Sequence, residues 1–177
     1  MPTILTHPAV PLAIAYGLGR GAISNRLLAA GVVAAIIPDL DVLAFRLGVP
    51  YAAEFGHRGF SHSLVFALII AIVGASLARS LLCTPKQAFG FLFIATASHG
   101  ILDAFTNGGL GVAFLWPFSG ERFFAPFQPI EVAPLGLSRF LSMKGLTVLW
   151  SEILWVWFPV FGVAAATVVY RRCRVLT

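Results

Sequence analysis

The chain has 177 residues and a net charge of +5, and 59% of its residues are hydrophobic while only 11% are charged. This composition lies far outside the range of soluble domains, so it excludes a soluble enzyme or binding module. Nucleic-acid binding is not expected either, because the basic residues are scattered apart from the C-terminal YRRCR run. We expect a single-domain integral membrane protein whose main partner is the lipid bilayer.

Apolar segments follow one another along the chain and predict an all-α polytopic bundle. About 20 helical residues cross the hydrocarbon core of a bilayer. The predicted spans cover about residues 8–18, 27–47, 63–82, 87–105 and 148–170, with an outer loop at about 106–147. This gives about five transmembrane helices, or about four if the short first segment does not cross.

Two local signals refine these spans. Pro38 interrupts the second span, because proline lacks the backbone donor that a helix interior needs. Asp39 and Asp41 follow it within the same span, so two acids lie near or inside the bilayer. The tight CTPK connection, residues 83–86, predicts that the third and fourth spans form an antiparallel hairpin.

The basic residues predict the orientation of the bundle. The RRCR run at the end of the last span places the C-terminus in the cytoplasm. The turns that contain Arg20 and Arg26, and Arg79 and Lys86, then also fall on the cytoplasmic side. The opposite ends of the helices face outwards.

Every histidine of the chain falls towards that outer side, together with several acids. His99 and Asp103 are four residues apart, so both lie on one helix face. Imidazole and carboxylate groups suit a divalent transition metal such as zinc. The candidate ligands are His7, Asp39, Asp41, His57, His62, His99 and Asp103.

Each of these groups also has a purely structural interpretation. His7 alone is more typical of a hydrogen bond between membrane helices than of a metal ligand. Asp39 and Asp41 suit a buried ion pair with Arg46 or Arg58. What favours a metal site is the gathering of all four histidines at one membrane face, which independent structural roles would not require.

Four motifs together carry a family resemblance: PDLD, GHRGFSHS, SHGILDAFTNGG and LWPFS, in this order along the chain. These motifs, taken together, resemble those of a bacterial family of predicted membrane-bound, metal-dependent hydrolases that includes a LexA-regulated inner-membrane protein. The resemblance covers about residues 7–127. It implies packed transmembrane helices in the bacterial inner membrane, a divalent metal, and the seven candidate ligands as the positions that match the family's polar motifs.

A metal held by such ligands would generate a nucleophilic water near neutral pH. Zinc is the expected ion and manganese an alternative, as one ion or as a pair bridged by Asp39 or Asp41. Among the candidate catalytic groups, Asp41 or Asp103 would act as base or orient a ligating histidine, and Arg58 would offset charge on a phosphoester oxygen. Thr106 and Asn107 would supply hydrogen bonds to the substrate.

The position of the site predicts the substrate class. A site at the outer surface, flanked by Trp116, Phe118, Phe123 and Phe124, would meet lipid headgroups first, so a phospholipid or lipid-linked phosphoester is expected. The rival is a membrane protein without enzymatic activity, in which the same groups hold a structural metal, form a polar cluster or carry an ion. A transporter would need polar residues through the whole bilayer, whereas the inner halves of the spans are almost entirely apolar.

Overall fold

A computed structural model describes residues 1–19, 21–134 and 140–175, without the side chains of residues 45, 46 and 175. The helices are α1 (Ala9–Leu18), α2 (Asn25–Ile36), α3 (Leu64–Ser76), α4 (Pro85–Ala104), α5 (Met143–Glu152) and α6 (Phe158–Val175). Within these ranges the chain contains no strand, only isolated bridges between Thr106 and Ile130 and between Val112 and Phe123. The all-α prediction is therefore confirmed for the part of the chain that the structure describes.

Side-chain caps fix where α2, α3 and α4 begin. Ser24 and Ser63 accept hydrogen bonds from the amides of Leu27 and Phe66, so each satisfies a donor that the first helical turn leaves unpaired. Thr84 and Gln87 form a reciprocal capping box at the start of α4. The sequence GFSHS therefore ends in the cap of α3.

Helices α3 and α4 form the predicted antiparallel hairpin. Gly74, near the end of α3, lies against Leu92, and Gly100, near the end of α4, lies against the backbone of His62, just before α3. Glycine at both places allows this close approach, since a side chain at Gly100 would meet the His62 carbonyl oxygen at 2.8 Å. The end of α4 is thereby held beside the start of α3.

The predicted interruption at Pro38 is present. Helix α2 ends at Ile36, and residues Ile37–Leu47 continue as a 3-10 helix. This tighter conformation changes the direction in which Asp39 and Asp41 project. A second irregular segment, the π-helical Ile153–Trp157, joins α5 to α6 and ends two residues before Pro159.

By length and composition, two of the described helical segments are long and apolar enough to cross a membrane: residues Asn25–Ala44 and Met143–Arg174. Helices α1 and α3 are apolar but have only 10 and 13 residues. At about 1.5 Å of rise per residue they are shorter than a hydrocarbon core of about 30 Å. Each predicted span overlaps a described helix, with different boundaries, while the number that cross stays a prediction.

The two ends of the bundle differ in character. At one end Arg171 donates to the carbonyl of Gly17 at 2.8 Å, and Arg26 donates to the carbonyl of Ser80 at 3.1 Å. Arg79 and Lys86 belong to the same end, because they lie after α3 and at the start of α4. The described part of this end is basic, whereas the predicted metal ligands belong to the other end.

The predicted outer loop covers the end of α4. The amide of Ala125 donates to the carbonyl of Ala104 at 2.8 Å, and the amide of Asn107 donates to the carbonyl of Ile130 at 3.0 Å. The predicted boundary at residue 148 lies inside a helix, because α5 already begins at Met143 under the cap of Ser142. Residues 135–139 of this loop, including Arg139, lie outside the described ranges.

The glycines of α4 offer a test of this packing. Gly100→Ala should lower the apparent melting temperature in detergent, because the new methyl group would meet the His62 backbone; overpacking of this kind costs about 1–3 kcal/mol. Gly90→Ala in the same helix is the matched control, since its methyl group would meet no atom within 4 Å. Equal melting temperatures for the two variants would contradict the close approach of α3 and α4.

Candidate metal centre

Four separate parts of the chain meet at the end of the bundle opposite the basic residues. They are the turn before α1, the 3-10 segment after α2, the turn before α3, and the last turns of α4. The predicted ligands His7, Asp39, His62, His99 and Asp103 all lie there, and each is at most 4% exposed. The expectation that His99 and Asp103 share one face of a helix, directed into a common cluster, is consistent with this arrangement.

The most informative contact joins two imidazole rings. Nε2 of His99 lies 3.0 Å from Nε2 of His62. His99 Nδ1 lies 2.7 Å from the carbonyl oxygen of Ala35, and His62 Nδ1 lies 3.2 Å from a carboxylate oxygen of Asp41. The bond to the Ala35 carbonyl requires a proton on His99 Nδ1, so the Nε2 lone pair of a neutral His99 points at His62. His62 Nδ1 also lies 3.0 Å from the Ser61 hydroxyl, and His62 Nε2 lies 3.3 Å from Asp103. Either a proton on His62 Nε2 or a metal ion bound by both nitrogens would satisfy this lone pair.

The surrounding carboxylates favour positive charge at this point. Burial by itself would lower the pKa of His62, but Asp103 and Asp41 outweigh that effect and raise the pKa to about 9. In the cluster, Asp39, Asp41 and Asp103 carry three negative charges and Arg58 one positive charge, so with neutral histidines the net charge is −2. A divalent cation would neutralise it.

One extra proton on His62 would leave other groups unsatisfied. Neither oxygen of Asp39, and neither ring nitrogen of His7, has a hydrogen-bond partner among the described residues. His7 Nε2 lies 3.6 Å from Asp39 and 3.8 Å from Asp103, too far for hydrogen bonds. Burial lowers the pKa of His7 well below its usual value, so the ring is neutral near pH 7. Such buried and unpaired donor atoms match what a metal ion would bind.

Four of these residues fit a common ligand set. One donor atom from each of Asp39, His62, His99 and Asp103 lies within 4.8 Å of the others. The ring of His7 stacks on that of His99 with centroids 3.6 Å apart, which places His7 at the edge of the same set. Nitrogen and oxygen donors in this mixture fit zinc, manganese and related divalent ions.

Asp41 and His57 form a second layer around His62. Asp41 accepts hydrogen bonds from His57 Nδ1 at 2.6 Å, Ser61 Oγ at 2.7 Å and the amide of Arg58 at 3.2 Å, besides its contact with His62. A carboxylate engaged by so many donors is suited to orient His62. Asp41, His57 and His62 also have donor atoms close enough for a second ion.

Arg58 is fully buried and joins the cluster to the outer loop. Its Nε lies 3.1 Å from Asp103, and its other two nitrogens donate to the carbonyls of Gly108 and Leu110 and to the hydroxyl of Thr106. The sequence suggested an ion pair of Arg58 with Asp39 or Asp41. In the structure the Arg58 side chain pairs with Asp103 instead, and Arg58 meets Asp41 only through its amide. The side chain of Arg46 lies outside the described set.

Several contacts that support the site were not predicted from the sequence. The hydroxyl of Ser61 donates to Asp41 at 2.7 Å, and no spacing in the sequence marks this contact. The carbonyl of Ala35 sets the tautomer of His99, and no sequence signal marks a backbone group for this role. Arg122 donates to the carbonyl of His57 at 3.0 Å and to those of Ala52 and Ala53, so it holds the turn that supplies His57. Burial lowers the pKa of Arg122, although tyrosine and aspartate groups nearby oppose this effect.

Comparison with known proteins finds related bacterial membrane proteins. The chain is 49% identical to the inner membrane protein YbcI of Escherichia coli over 160 residues, which are 90% of this chain and 92% of that protein. It is 32% identical to the inner membrane protein YdjM of Escherichia coli over 145 residues, 75% of this chain and 66% of that protein. It is also 35% identical to YvsG of Bacillus subtilis over 95 residues, 50% of this chain and 56% of that protein.

No solved structure matches the chain. The profile of the family described as YdjM inner membrane protein matches residues 1–174. The chain therefore belongs to the YdjM family, and the resemblance drawn from its four motifs is confirmed.

Proposed function

We propose that this protein is a metal-dependent hydrolase embedded in the bacterial inner membrane, acting on a phosphoester or a lipid-linked substrate. The single observation that carries the proposal is the pair of buried Nε2 atoms of His62 and His99, 3.0 Å apart, with Asp103 at 3.3 Å from the first and Asp39 at 3.4 Å from the second. The unpaired oxygens of Asp39 and the net negative charge of the cluster support it. Family membership supports the membrane location.

Asp39, His62, His99 and Asp103, with His7 at their edge, would hold one divalent ion. Zinc is the proposed ion, with manganese as the alternative, because the donors are imidazole nitrogens and carboxylate oxygens without a thiolate. A second ion would use Asp41, His57 and His62. The hydrogen bonds that Asp41 already accepts support one ion over two.

A bound divalent ion lowers the pKa of a coordinated water towards neutrality and so supplies the nucleophile. The protein's own side chains would then orient the metal ligands and stabilise the charge that develops on the substrate. Asp41 fixes the ring of His62 through Nδ1 and is our proposed base or orienting group. Asp103 is held by Arg58 at 3.1 Å, and Arg58 brings positive charge beside the place where a phosphoester oxygen would gain negative charge.

Aromatic residues next to the cluster support a lipid substrate. The ring of Trp116 lies 4.7 Å from that of Phe60, which directly precedes Ser61 and His62. Phe118 is 88% exposed, and Phe123 and Phe124 are exposed on the same outer loop. Aromatic side chains of this kind settle at the level of lipid headgroups, so the substrate would approach from the bilayer surface.

Burial of the ligands supports a second candidate, a structural metal. The side chains of His7, His62, His99 and Asp103 are fully buried, and that of Asp39 is 4% exposed. A structural ion fills its coordination shell with protein ligands, whereas a catalytic ion keeps a position open for water. The two functions therefore differ in whether water and substrate reach the ion.

Metal content is the first prediction. Wild-type protein purified in detergent should contain about one equivalent of zinc or manganese by elemental analysis, as a site with one ligand set requires. His62→Ala and His99→Ala should each lose it, because each removes an Nε2 donor of the central pair. Glu131→Gln is the matched control, since this acid pairs with Lys144 at 2.7 Å outside the cluster and should keep the ion.

Wild-type protein that stays free of metal after reconstitution with zinc and with manganese would rule out the hydrolase. Retention of a full equivalent in His62→Ala would place the ion elsewhere.

A hydrolysis assay distinguishes the metal-dependent hydrolase from a protein with a structural metal. Wild-type protein should cleave at least one member of a panel of phospholipids and phosphomonoesters; a chelator should abolish the activity and zinc should restore it. Asp41→Asn should keep the ion but lower the rate by about 10–100-fold, because it loses the carboxylate that orients His62. A chelator that lowers the melting temperature, in a protein that cleaves nothing in the panel, would favour the structural metal instead.

The proposed orientation places the C-terminus in the cytoplasm and the site on the outer face, which the basic opposite end of the bundle supports. In intact spheroplasts, a membrane-impermeant maleimide should leave the exposed Cys173 unlabelled until the membrane is permeabilised. Gly120→Cys, in a variant whose native cysteines are replaced by serine, should label at once, because nothing lies within 4 Å of that position. The reverse labelling pattern would show that the topology is opposite to the one proposed.

A further inference from the structure

Glu152 is a buried acid that lies away from the predicted ligands. It is the last residue of α5, within the long apolar segment Met143–Arg174, and only 1% of it is exposed. A carboxylate in such a segment is costly to bury, so it is retained where it has a specific partner. Its partners therefore indicate what it does.

Among the described residues, the hydrogen-bond partners of the Glu152 carboxylate belong to the segment that precedes His7. The Thr3 amide donates to one carboxylate oxygen, and the hydroxyls of Thr3 and Thr6 donate to the other at 2.7 Å each. The amide of Thr6 donates to the carbonyl of Thr3, and the amide of Ala9 donates to that of Thr6, both at 2.9 Å. Residues 3–9 therefore form one turn, held on its inner side by Glu152.

The π-helical segment Ile153–Trp157 adds a second contact to the same turn. In a regular α-helix, residues five apart point about 140° away from each other, at 3.6 residues per turn. A π-helix bonds residue i to residue i+5, so it brings Glu152 and Trp157 to the same side. Trp157 Nε1 donates to the Thr6 hydroxyl at 3.0 Å, and that hydroxyl in turn donates to Glu152.

The next residue along this turn is His7. Its ring stacks on His99 with centroids 3.6 Å apart, and neither ring nitrogen has a hydrogen-bond partner among the described residues. Hydrogen bonds within the cluster therefore do not hold the ring, and its position depends on the stacking and on the backbone that carries it. That backbone is fixed by Glu152 and Trp157 through Thr3 and Thr6.

We propose that Glu152 is a positioning residue for the metal centre, acting through Thr3 and Thr6 to hold His7 against His99 and the two acids Asp39 and Asp103. The proposal rests on the metal site put forward above. It assigns to the last helical segment a task in the site, although that segment contributes none of the predicted ligands. Removing such supporting groups commonly weakens metal binding by about 10–100-fold.

The test compares Glu152→Ala, Glu152→Gln, His7→Ala and the double variant Glu152→Ala/His7→Ala, with Glu131→Gln as the control for loss of an exposed acid. Two readouts are needed: the dissociation constant for zinc, and the visible absorption spectrum of the cobalt-substituted protein, which reports the ligands around the ion. Glu152→Ala should bind zinc about 10–100-fold more weakly than wild type and give the cobalt spectrum of His7→Ala. The double variant should show no further loss, because both changes remove the same ligand.

Glu152→Gln keeps one oxygen acceptor for the threonine hydroxyls, so it should lie between wild type and Glu152→Ala, and it serves where the alanine variant fails to fold. Wild-type affinity and spectrum in Glu152→Ala or Glu152→Gln would overturn the proposal. So would a clear further loss in the double variant, because Glu152 would then act on the ion by a route other than His7.

Hydrogen exchange of chelator-treated protein separates this inference from the proposed function. Faster exchange at residues 3–7 in Glu152→Ala than in wild type is expected, whether or not an ion is added afterwards. If wild-type protein binds no ion, the proposed function fails while this exchange difference still shows that Glu152 holds the turn of His7. Unchanged exchange would overturn the positioning role itself.

Discussion

The structure depends on the burial of negative charge at one end of a helix bundle. Three carboxylates and one guanidinium lie among four histidines, almost without access to solvent. Burying charge of one sign is strongly unfavourable unless a counter-charge accompanies it. A divalent ion would meet this requirement and would also bind the nitrogens of His62 and His99 and the oxygens of Asp39 that meet there. The irregular features of the backbone serve this arrangement.

These features lie where a regular helix would direct a side chain away from the cluster. The 3-10 segment Ile37–Leu47 turns Asp39 inwards to His99 and His62, while Asp41 meets His62 from its other side. The π-helical segment Ile153–Trp157 brings Glu152 and Trp157 together on the turn before His7. Departures from regular helix of this kind are frequent at functional sites, because they redirect side chains without breaking the helix.

Much of the site was predictable, because the chemistry of its residues is so unlike that of the rest of the chain. In a sequence with 11% charged residues, a histidine or aspartate beside an apolar segment needs a reason to be there. The alternation of helix direction then places the start of α1, the end of α2, the start of α3 and the end of α4 at one end of the bundle. The interruption at Pro38 was predictable for a different reason, since it depends on neighbouring residues only.

The sequence by itself determined the class of protein, the family, the positions of the helices and the end at which the polar residues gather. These follow from composition, from apolar length and from local spacing. Only the tertiary structure decided which groups face each other. It placed Arg58 on Asp103, made the Ala35 carbonyl the partner of His99, and joined Glu152 to Thr3 and Thr6. Such pairings span from 45 to about 150 positions of the chain, and they depend on how helices pack in three dimensions, which no local pattern encodes.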